Sequence, residues 1–266
     1  MKHFVILLAQ FLFAFCIVPS EAVSSGWVHT NGPVGGSITS LVQRGPYIFA
    51  GSYWIGAYVS SNRGEDWHLT RLGYSNEAPV SFACLDTIVY GATWSTIYRS
   101  TDNGKSWQHI FGGGVGLKTI IVANGIIFAG SSGYGIYRSV DSGKTWTTVN
   151  DPQLYNQRIL TMYCQDSVVY AGTVSNGVYR TTDYGETWSA INAGMAGMDV
   201  YTITTHNSFI FAGTRIDGLR RSSNNGLTWG LVNSGLPFSS IISLASSDSF
   251  VFVGSTGGSI YRSNDD

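Results

Sequence analysis

Short apolar segments alternate with polar and glycine-rich turns along the chain, in groups of four that recur about every 40 residues. In each group the first segment is mostly apolar, as in Ile38–Gln43, and the second runs up to an aromatic-Ala-Gly triplet. The third carries the pattern Ile/Val-Tyr-Arg-Ser, and the fourth starts at a tryptophan. Short runs of this kind between turn residues are typical of β-strands. The pattern therefore predicts an all-β chain with four strands in each group.

An internal repeat underlies this organisation. One octapeptide, Ser-Thr-Asp-Asn-Gly-Lys-Ser-Trp in its second copy, recurs with small changes along the chain. Its copies lie at 60–67, 100–107, 139–146, 181–188 and 222–229, and a sixth begins at Ser263. The five tryptophans that end the complete copies are spaced by 40, 39, 42 and 41 residues. The aromatic-Ala-Gly triplet, from Phe49 to Phe252, keeps the same period in six copies, which excludes coincidence.

Four strands in about 40 residues is the size of a β-propeller blade, so six repeats predict a single six-bladed propeller. The sixth repeat has its first three strands, but the chain ends at Asp266 before the tryptophan strand. An otherwise unpaired tryptophan strand, Trp27–Thr30, stands near the start of the chain. We expect it to complete the last blade and close the ring, which leaves no free sheet edge. The alternative is a truncated form of a longer array.

The octapeptides resemble the Asp-box, or bacterial neuraminidase repeat, Ser-x-Asp-x-Gly-x-Thr-Trp, and the resemblance covers residues 27–266. It implies a propeller fold but no single function, because sialidases, xyloglucan-degrading endoglucanases, the sortilin ectodomain and a photosystem II assembly factor share the element. An Asp oxygen is suited to turn hydrogen bonds, glycine to positive φ, and tryptophan to burial between sheets. Asn replaces Asp in two copies, so we expect a structural role and not calcium binding or catalysis. The structural positions are Asn62, Asp102, Asp141, Asp183, Asn224, Asp265, Trp27, Trp67, Trp107, Trp146, Trp188 and Trp229.

Residues 1–22 predict a secretory signal peptide, which leaves 23–266 as the propeller domain. Lys2 and His3 precede a short apolar stretch that ends in Pro-Ser-Glu-Ala, with cleavage expected after Ala22. Attachment of a lipid at Cys16 is the alternative, but the bulky residue before that cysteine disfavours it. No other segment is long and apolar enough to cross a bilayer, so we expect a secreted or periplasmic protein with no membrane span after signal removal.

Charge along the chain is sparse and balanced. The 15 Lys and Arg residues against 16 Asp and Glu give a net charge of −1, and this argues against nucleic acid, which needs clustered positive charge. No zinc-ligand spacing or phosphate-binding loop occurs, so we expect neither a metal nor another cofactor. We expect the protein to be a monomer. Cys84 and Cys164 occupy the same repeat position two repeats apart, beyond the reach of a disulfide.

Candidate ligand-binding residues lie in the loops between the second and third strands, on the face opposite the Asp-boxes. The sequences of these loops are not part of the repeated pattern, so their residues can differ from blade to blade. The first three repeats supply Tyr53, Trp54, Trp94 and Tyr134, and the fifth supplies Arg215. Exposed aromatic residues on adjacent blades suit stacking on sugar rings or anchoring of a protein partner. The alternative is that they only cover the edges of blades.

Acidic residues expected on the same face, Glu77, Asp151, Asp199 and Asp217, are the remaining candidates for catalysis. Glycosidases use two carboxylates about 5–10 Å apart, but Glu77 and Asp199 enter blades on opposite sides of the ring. No Arg-Ile-Pro element of the sialidase kind occurs, and one ring cannot form the two-propeller cleft of the xyloglucanases. The sequence therefore favours a secreted, non-enzymatic recognition propeller for a glycan or an exported protein. A polysaccharide-active glycoside hydrolase is the first alternative, and an assembly or scaffold factor for an exported complex is the second.

Overall fold

A computed structural model describes residues 30–33, 37–53, 55–72, 79–149, 151–237 and 239–263. Within these ranges every regular element is a β-strand, so none of them forms a helix that could cross a membrane. The strands form six antiparallel sheets, which are the six blades of a β-propeller. The fold class predicted from the repeat is confirmed.

Each blade takes its strands from one repeat, and the strands follow chain order across the sheet. Blades one and two consist of β1 (Ile38–Arg44), β2 (Tyr47–Ser52), β3 (Gly56–Ser60), β4 (His68–Thr70), β5 (Pro79–Leu85), β6 (Ile88–Thr93), β7 (Thr96–Ser100) and β8 (Gln108–Gly112). Blades three and four consist of β9 (Leu117–Ala123), β10 (Ile126–Ser131), β11 (Ile136–Ser139), β12 (Thr147–Thr148), β13 (Ile159–Gln165), β14 (Val168–Thr173), β15 (Val178–Thr181) and β16 (Ser189–Ala190). Blades five and six consist of β17 (Val200–His206), β18 (Phe209–Thr214), β19 (Leu219–Ser222), β20 (Gly230–Leu231), β21 (Ile241–Ser246), β22 (Val251–Ser255) and β23 (Ile260–Ser263).

The glycine of the aromatic-Ala-Gly triplet is required by the close approach of adjacent blades. A Cβ atom on Gly130 would lie 2.6 Å from Cγ2 of Ile159, the first residue of the next blade. A Cβ atom on Gly213 would approach Cγ2 of Ile241, two joints further on, at the same distance. Carbon atoms do not pack at that distance, so a residue without a side chain lets the second strand lie against its neighbour.

Aromatic side chains fill the joints between blades. Phe49 of blade one meets Trp107 of blade two edge-on at 6.4 Å, and Phe128 of blade three meets Trp188 of blade four at 6.3 Å. Both phenylalanines are fully buried. Each contact joins the aromatic residue of one triplet to the Asp-box tryptophan of the next blade, so the two repeated motifs meet at the joints.

The N-terminal segment contacts blade one as the end of one blade contacts the next. Asn31 N donates to Glu65 O at 3.3 Å, and its side-chain amide donates to Asp66 Oδ1 at 3.2 Å. Between blades four and five the comparable bond runs from Trp229 N to Ala193 O at 3.0 Å. A segment that follows the last strand of blade six would make this contact with blade one. The predicted closing strand itself lies outside the described residues, except for its last residue.

Among the described residues, the joint between blades six and one shows fewer contacts than the other joints. From β1 through β21 the first strands of consecutive blades pack against each other, but β21 and β1 make no comparable contact within the described residues. Ile260 on β23 is 41% exposed, whereas Ile136 and Val178 at the equivalent positions are 0% exposed. Among the described residues, this joint therefore covers β23 less completely than the other joints cover β11 and β15.

Cys84 and Cys164 are free cysteines, as their shared repeat position predicts. Burial raises the pKa of the Cys84 thiol to about 12 and that of Cys164 to about 11. The Cys164 thiol donates to the carbonyl of Val122 at 3.4 Å. Both thiols are protonated at neutral pH and are therefore poor nucleophiles.

Candidate functional site

The two faces of the ring carry different loops. Arg63 N donates to Pro46 O at 3.1 Å, so an Asp-box loop and the turn between first and second strands share one face. The loops between second and third strands lie at the other end of the sheets, together with the segments that enter each blade; we call this side the rim face. Its described loop residues are 53, 55, 94–95, 132–135, 174–177, 215–218 and 256–259.

A cavity of about 500 Å³ occupies the centre of the ring, at the Asp-box end. First strands of all six blades line it, together with turn residues of blades four to six. The lining includes Val42, Cys84, Ile121, Cys164, His206 and Asp248. Its mixture of apolar, thiol and polar groups shows no set of side chains suited to one ligand, so the candidate site is on the rim face.

Backbone hydrogen bonds fix the first residue of the rim loops; we call this residue the rim position. The bonds run from Tyr53 N to Ser37 O (2.7 Å), Ser132 N to Gly116 O (2.8 Å), Val174 N to Arg158 O (2.9 Å), Arg215 N to Asp199 O (3.0 Å) and Thr256 N to Ser240 O (3.4 Å). Each acceptor directly precedes the first strand of the same blade. The loops and the entering segments therefore form one hydrogen-bonded layer, and Trp94 occupies the rim position of blade two.

A β-bulge places Lys118 at the rim face. The pairing between first and second strands skips one residue in each of the six blades, and in blade three that residue is Lys118. The skipped residues of the other blades are uncharged: Thr39, Val80, Leu160, Tyr201 and Ile242. A bulge takes the side chain of its extra residue out of the regular alternation along a strand. At the bulge position, blade three therefore carries a cation and the other five blades do not.

Lys118 reaches blade two and lies against Trp94. Its Nζ is 4.3 Å from the centroid of the indole ring, which is a cation–π contact. A Cβ atom on Gly116 would lie 3.2 Å from both Cζ2 of Trp94 and Cβ of Ser132, so this glycine lets the three segments meet. Leu117 N donates to Trp94 O at 2.7 Å. These contacts fix the ring and the backbone of Trp94, yet the residue remains 47% exposed.

Arg158 brings a second positive charge to the same place. It forms an isolated antiparallel bridge with Ser132, whose own N–H donates to the carbonyl of Gly116, two residues before Lys118. Burial, and then the charge of Arg158, lower the pKa of Lys118. Neither cation has a salt bridge with a described residue. Trp94, Lys118, Ser132 and Arg158 form what we call the basic-aromatic cluster.

The other aromatic candidates are exposed but separate from this cluster. Tyr53 and Tyr134 are 46% and 56% exposed, and neither ring contacts Trp94 within the described residues. Tyr134 lies near Tyr137 on β11, where, after burial, it helps to raise the pKa of that phenol. Trp54 lies outside the described residues. Of the predicted aromatic set, Trp94 is the member that the fold surrounds with further functional groups.

Two of the acidic candidates fix loops. Asp199 accepts a hydrogen bond from Ser175 N at 2.9 Å and forms a salt bridge with Arg215 at 3.5 Å. Asp151 accepts the backbone N–H of Gln153 at 2.8 Å through Oδ1, and that of Trp188 at 3.3 Å through Oδ2. These oxygens are therefore engaged in holding the loops of blades three to five.

The two remaining acidic candidates stand elsewhere. Asp217 is half-buried in the rim loop of blade five, where its backbone N–H donates to Thr214 Oγ1 at 3.0 Å. Glu77 lies outside the described residues. No group of three or more His, Cys, Asp or Glu side chains in the described ranges is placed to hold a metal ion.

The Asp-box loops have one hydrogen-bond pattern, whether an aspartate or an asparagine occupies the central position. In blade two, Asp102 Oδ1 accepts from Ser100 Oγ at 2.8 Å and from Ser106 N at 2.9 Å. In blade five, Asn224 Oδ1 accepts from Thr228 N at 2.9 Å. An amide oxygen thus replaces a carboxylate oxygen with the loop unchanged.

The same hydrogen bonds act on the acidity of the Asp-box carboxylates. The hydroxyl of the residue four positions later, followed by its backbone N–H, lowers the pKa of the aspartate. The pKa is about 2 for Asp102, Asp141 and Asp183. These groups are ionised at neutral pH, and their oxygens are used within their own loops.

The family model for the BNR/Asp-box repeat matches residues 98–109, which contain the whole of the blade-two loop described above. The chain is a six-bladed β-propeller that carries a BNR/Asp-box repeat. No curated protein sequence matches it at a significant level.

Several solved structures share the fold of this Asp-box propeller at low sequence identity. YCF48 bound to D1 peptide is 15% identical with a TM-score of 0.67, and the match covers 82% of this chain and 74% of that one. An ancestral GH74 enzyme is 16% identical with a TM-score of 0.75, covering 90% and 38%. The extracellular domain of a one-component system from B. thetaiotaomicron is 13% identical with a TM-score of 0.70, covering 85% and 33%. This chain spans about a third of the length of these last two chains, and all three likenesses show the fold alone.

Two third-strand arginines link a blade of the propeller to the next. Arg138 Nε donates to Tyr184 O at 2.8 Å and pairs with Glu186 at 2.8 Å. Arg180 donates to Asn225 O at 2.9 Å. Tyr184 and Asn225 are equivalent residues of two successive Asp-box loops, so these arginines join blades and do not form an open basic surface.

Sequence reasoning did not single out Lys118 and Arg158. A signal for Lys118 was present, because it is the one lysine of the propeller domain outside the Asp-box loops. Nothing in the sequence indicates that its side chain crosses to Trp94, since that contact depends on a bulge and on the spacing of two blades. Arg158 has no sequence signal beyond its place directly before a first strand.

Proposed function

We propose that this protein is an exported, non-enzymatic recognition module that binds a glycan or an exported protein on the rim face of blades two to four. Trp94 carries the proposal. It is nearly half exposed, while Lys118, Gly116 and Leu117 hold its ring and backbone in place. An aromatic side chain that is already ordered loses little entropy when a ligand packs on it. Such residues commonly anchor ligands.

The acidic residues of the rim face support binding over hydrolysis. Asp199 and Asp151 are engaged with backbone N–H groups and, for Asp199, with Arg215. A glycoside hydrolase needs one carboxyl group to donate a proton and a second to act as base or nucleophile. Neither residue is free for such a role. The likeness to a GH74 enzyme concerns the fold and adds no catalytic residue.

The proposal is tested by measuring binding of the full chain to soluble glycans and to exported-protein peptides, through tryptophan fluorescence and calorimetry. We expect saturable binding that Trp94→Ala weakens at least tenfold, at an unchanged melting temperature. Tyr184→Ala is the matched control, because Tyr184 is 48% exposed in an Asp-box loop on the opposite face. Equal affinity of the Trp94→Ala variant and the unaltered chain would refute the proposal. Release of sugar that Asp199→Asn abolishes would favour the hydrolase alternative instead.

A further inference from the structure

We propose that the basic-aromatic cluster is a subsite for a carboxylate-bearing sugar, such as a uronic acid unit of an acidic polysaccharide. The inference rests on the proposed function and names the ligand class of the same face. Three properties of Trp94, Lys118, Ser132 and Arg158 carry it: their charge, the aromatic surface beside that charge, and the state of the surrounding backbone.

The charge of the cluster is not balanced within the described residues. Arg215, on the same face, pairs with Asp199, and Arg138 pairs with Glu186. Lys118 and Arg158 have no such partner among the described residues, and Lys118 lies in the field of Arg158. Two neighbouring cations repel one another, and an anion placed between them reverses that unfavourable interaction. A carboxylate is suited to this position, because it accepts charge-assisted hydrogen bonds from both ammonium and guanidinium groups.

An aromatic surface adjoins one of the two cations. Lys118 Nζ lies 4.3 Å from the centre of the Trp94 ring, and 47% of that residue stays accessible. The C–H face of a pyranose ring packs on an indole, so a sugar on Trp94 would hold an attached carboxylate near the cations. The hydroxyl of Ser132, which has no hydrogen bond to a described residue, can donate to or accept from a sugar hydroxyl.

The hydrogen bonds already made by the backbone of the rim face favour a sugar over an acidic peptide as the ligand. Peptides that bind by extending a sheet need a row of unpaired N–H and C=O groups. At the rim face, the Ser132 and Val174 N–H groups already donate to Gly116 and Arg158 carbonyls, at 2.8 and 2.9 Å. Recognition there must therefore come from side chains, and these offer stacking, charge and a hydroxyl.

The test compares oligogalacturonate, alginate and hyaluronan oligosaccharides with carboxyl-reduced, neutral forms of the same length. Affinities for the full chain are measured by calorimetry, with an aspartate- and glutamate-rich peptide as a further arm. We expect an acidic oligosaccharide to bind at least tenfold more tightly than its reduced form. Lys118→Gln and Arg158→Gln should each weaken acidic binding by about ten- to a hundredfold and leave the reduced form unaffected. Lys105→Gln removes the same charge from an exposed Asp-box residue on the opposite face and should change neither affinity.

The outcomes separate this inference from the proposed function. Equal affinity for acidic and reduced sugars, lost in Trp94→Ala, overturns the carboxylate subsite and leaves the recognition role standing. Binding of the acidic peptide alone, lost in Lys118→Gln, overturns the sugar assignment in favour of a protein partner. Binding of none of these ligands by the folded chain, with melting curves as the check of folding, overturns the inference.

Discussion

Replacing Gly185 with alanine tests how closely adjacent blades pack. Gly185 has a φ of +83°, and a Cβ atom there would lie 2.5 Å from Cε1 of Phe128 in the preceding blade. The left-handed backbone alone costs a residue with a side chain about 1–2 kcal/mol. Overpacking against a fully buried ring adds about 1–3 kcal/mol. We therefore expect the free energy of unfolding to fall by about 2–5 kcal/mol, measured by urea unfolding followed through tryptophan fluorescence.

Gly125→Ala is the matched control for this substitution. Gly125 has a φ of +80°, but no atom lies within 4 Å of a Cβ built there, so only the conformational cost of about 1–2 kcal/mol is expected. Phe128→Leu removes the ring that the added methyl group of Gly185→Ala would contact. The double variant should therefore lose less stability than the sum of the losses of the two single variants. Equal losses for the two glycine variants, together with additivity of the pair, would refute the close packing of blades three and four.

The Asp-box carboxylates, the arginine links and the N-terminal segment each give a further measurable effect. Hydrogen bonds lower the pKa of Asp141 from 3.8 to about 2, so its stabilising effect is complete above about pH 4 and is lost as the pH falls through 2. Asp141→Asn should therefore make the acid unfolding curve, measured by circular dichroism, less steep. Arg138→Ala should lower the free energy of unfolding in urea by about 1–3 kcal/mol. Arg262→Ala should change it by less than about 1 kcal/mol, because the exposed Arg262 packs on the Phe250 ring at its own blade. Deleting residues 23–30 should lower the melting temperature or cause aggregation in light scattering, and an unchanged melting temperature would contradict closure by the N-terminal strand.

The repeat allows the fold to be predicted because each blade must bury the same surfaces against its neighbours. The aromatic residue at Phe128 and the glycine at Gly130 recur for that reason, and both are visible as a period of about 40 residues. The exposure of Trp94 also follows from its place in a loop that departs from the repeat. The basic-aromatic cluster around Trp94 does not follow from the sequence, because Lys118 lies at a bulge and Arg158 lies in another blade. Contacts of that kind depend on distances between blades, which no residue pattern along one strand records.

The hydrogen bond at the rim position allows this protein to serve as a scaffold for engineered binders. It uses only a main-chain N–H and a main-chain carbonyl, so every residue except proline can make it. The chain itself already places residues as different as Tyr53, Val174 and Arg215 there, on the same backbone. A library varied at these positions would present new surfaces from a fixed framework, and selection would act on ligand preference with little penalty in folding. The same freedom would let a family of such proteins diverge in specificity faster than in structure.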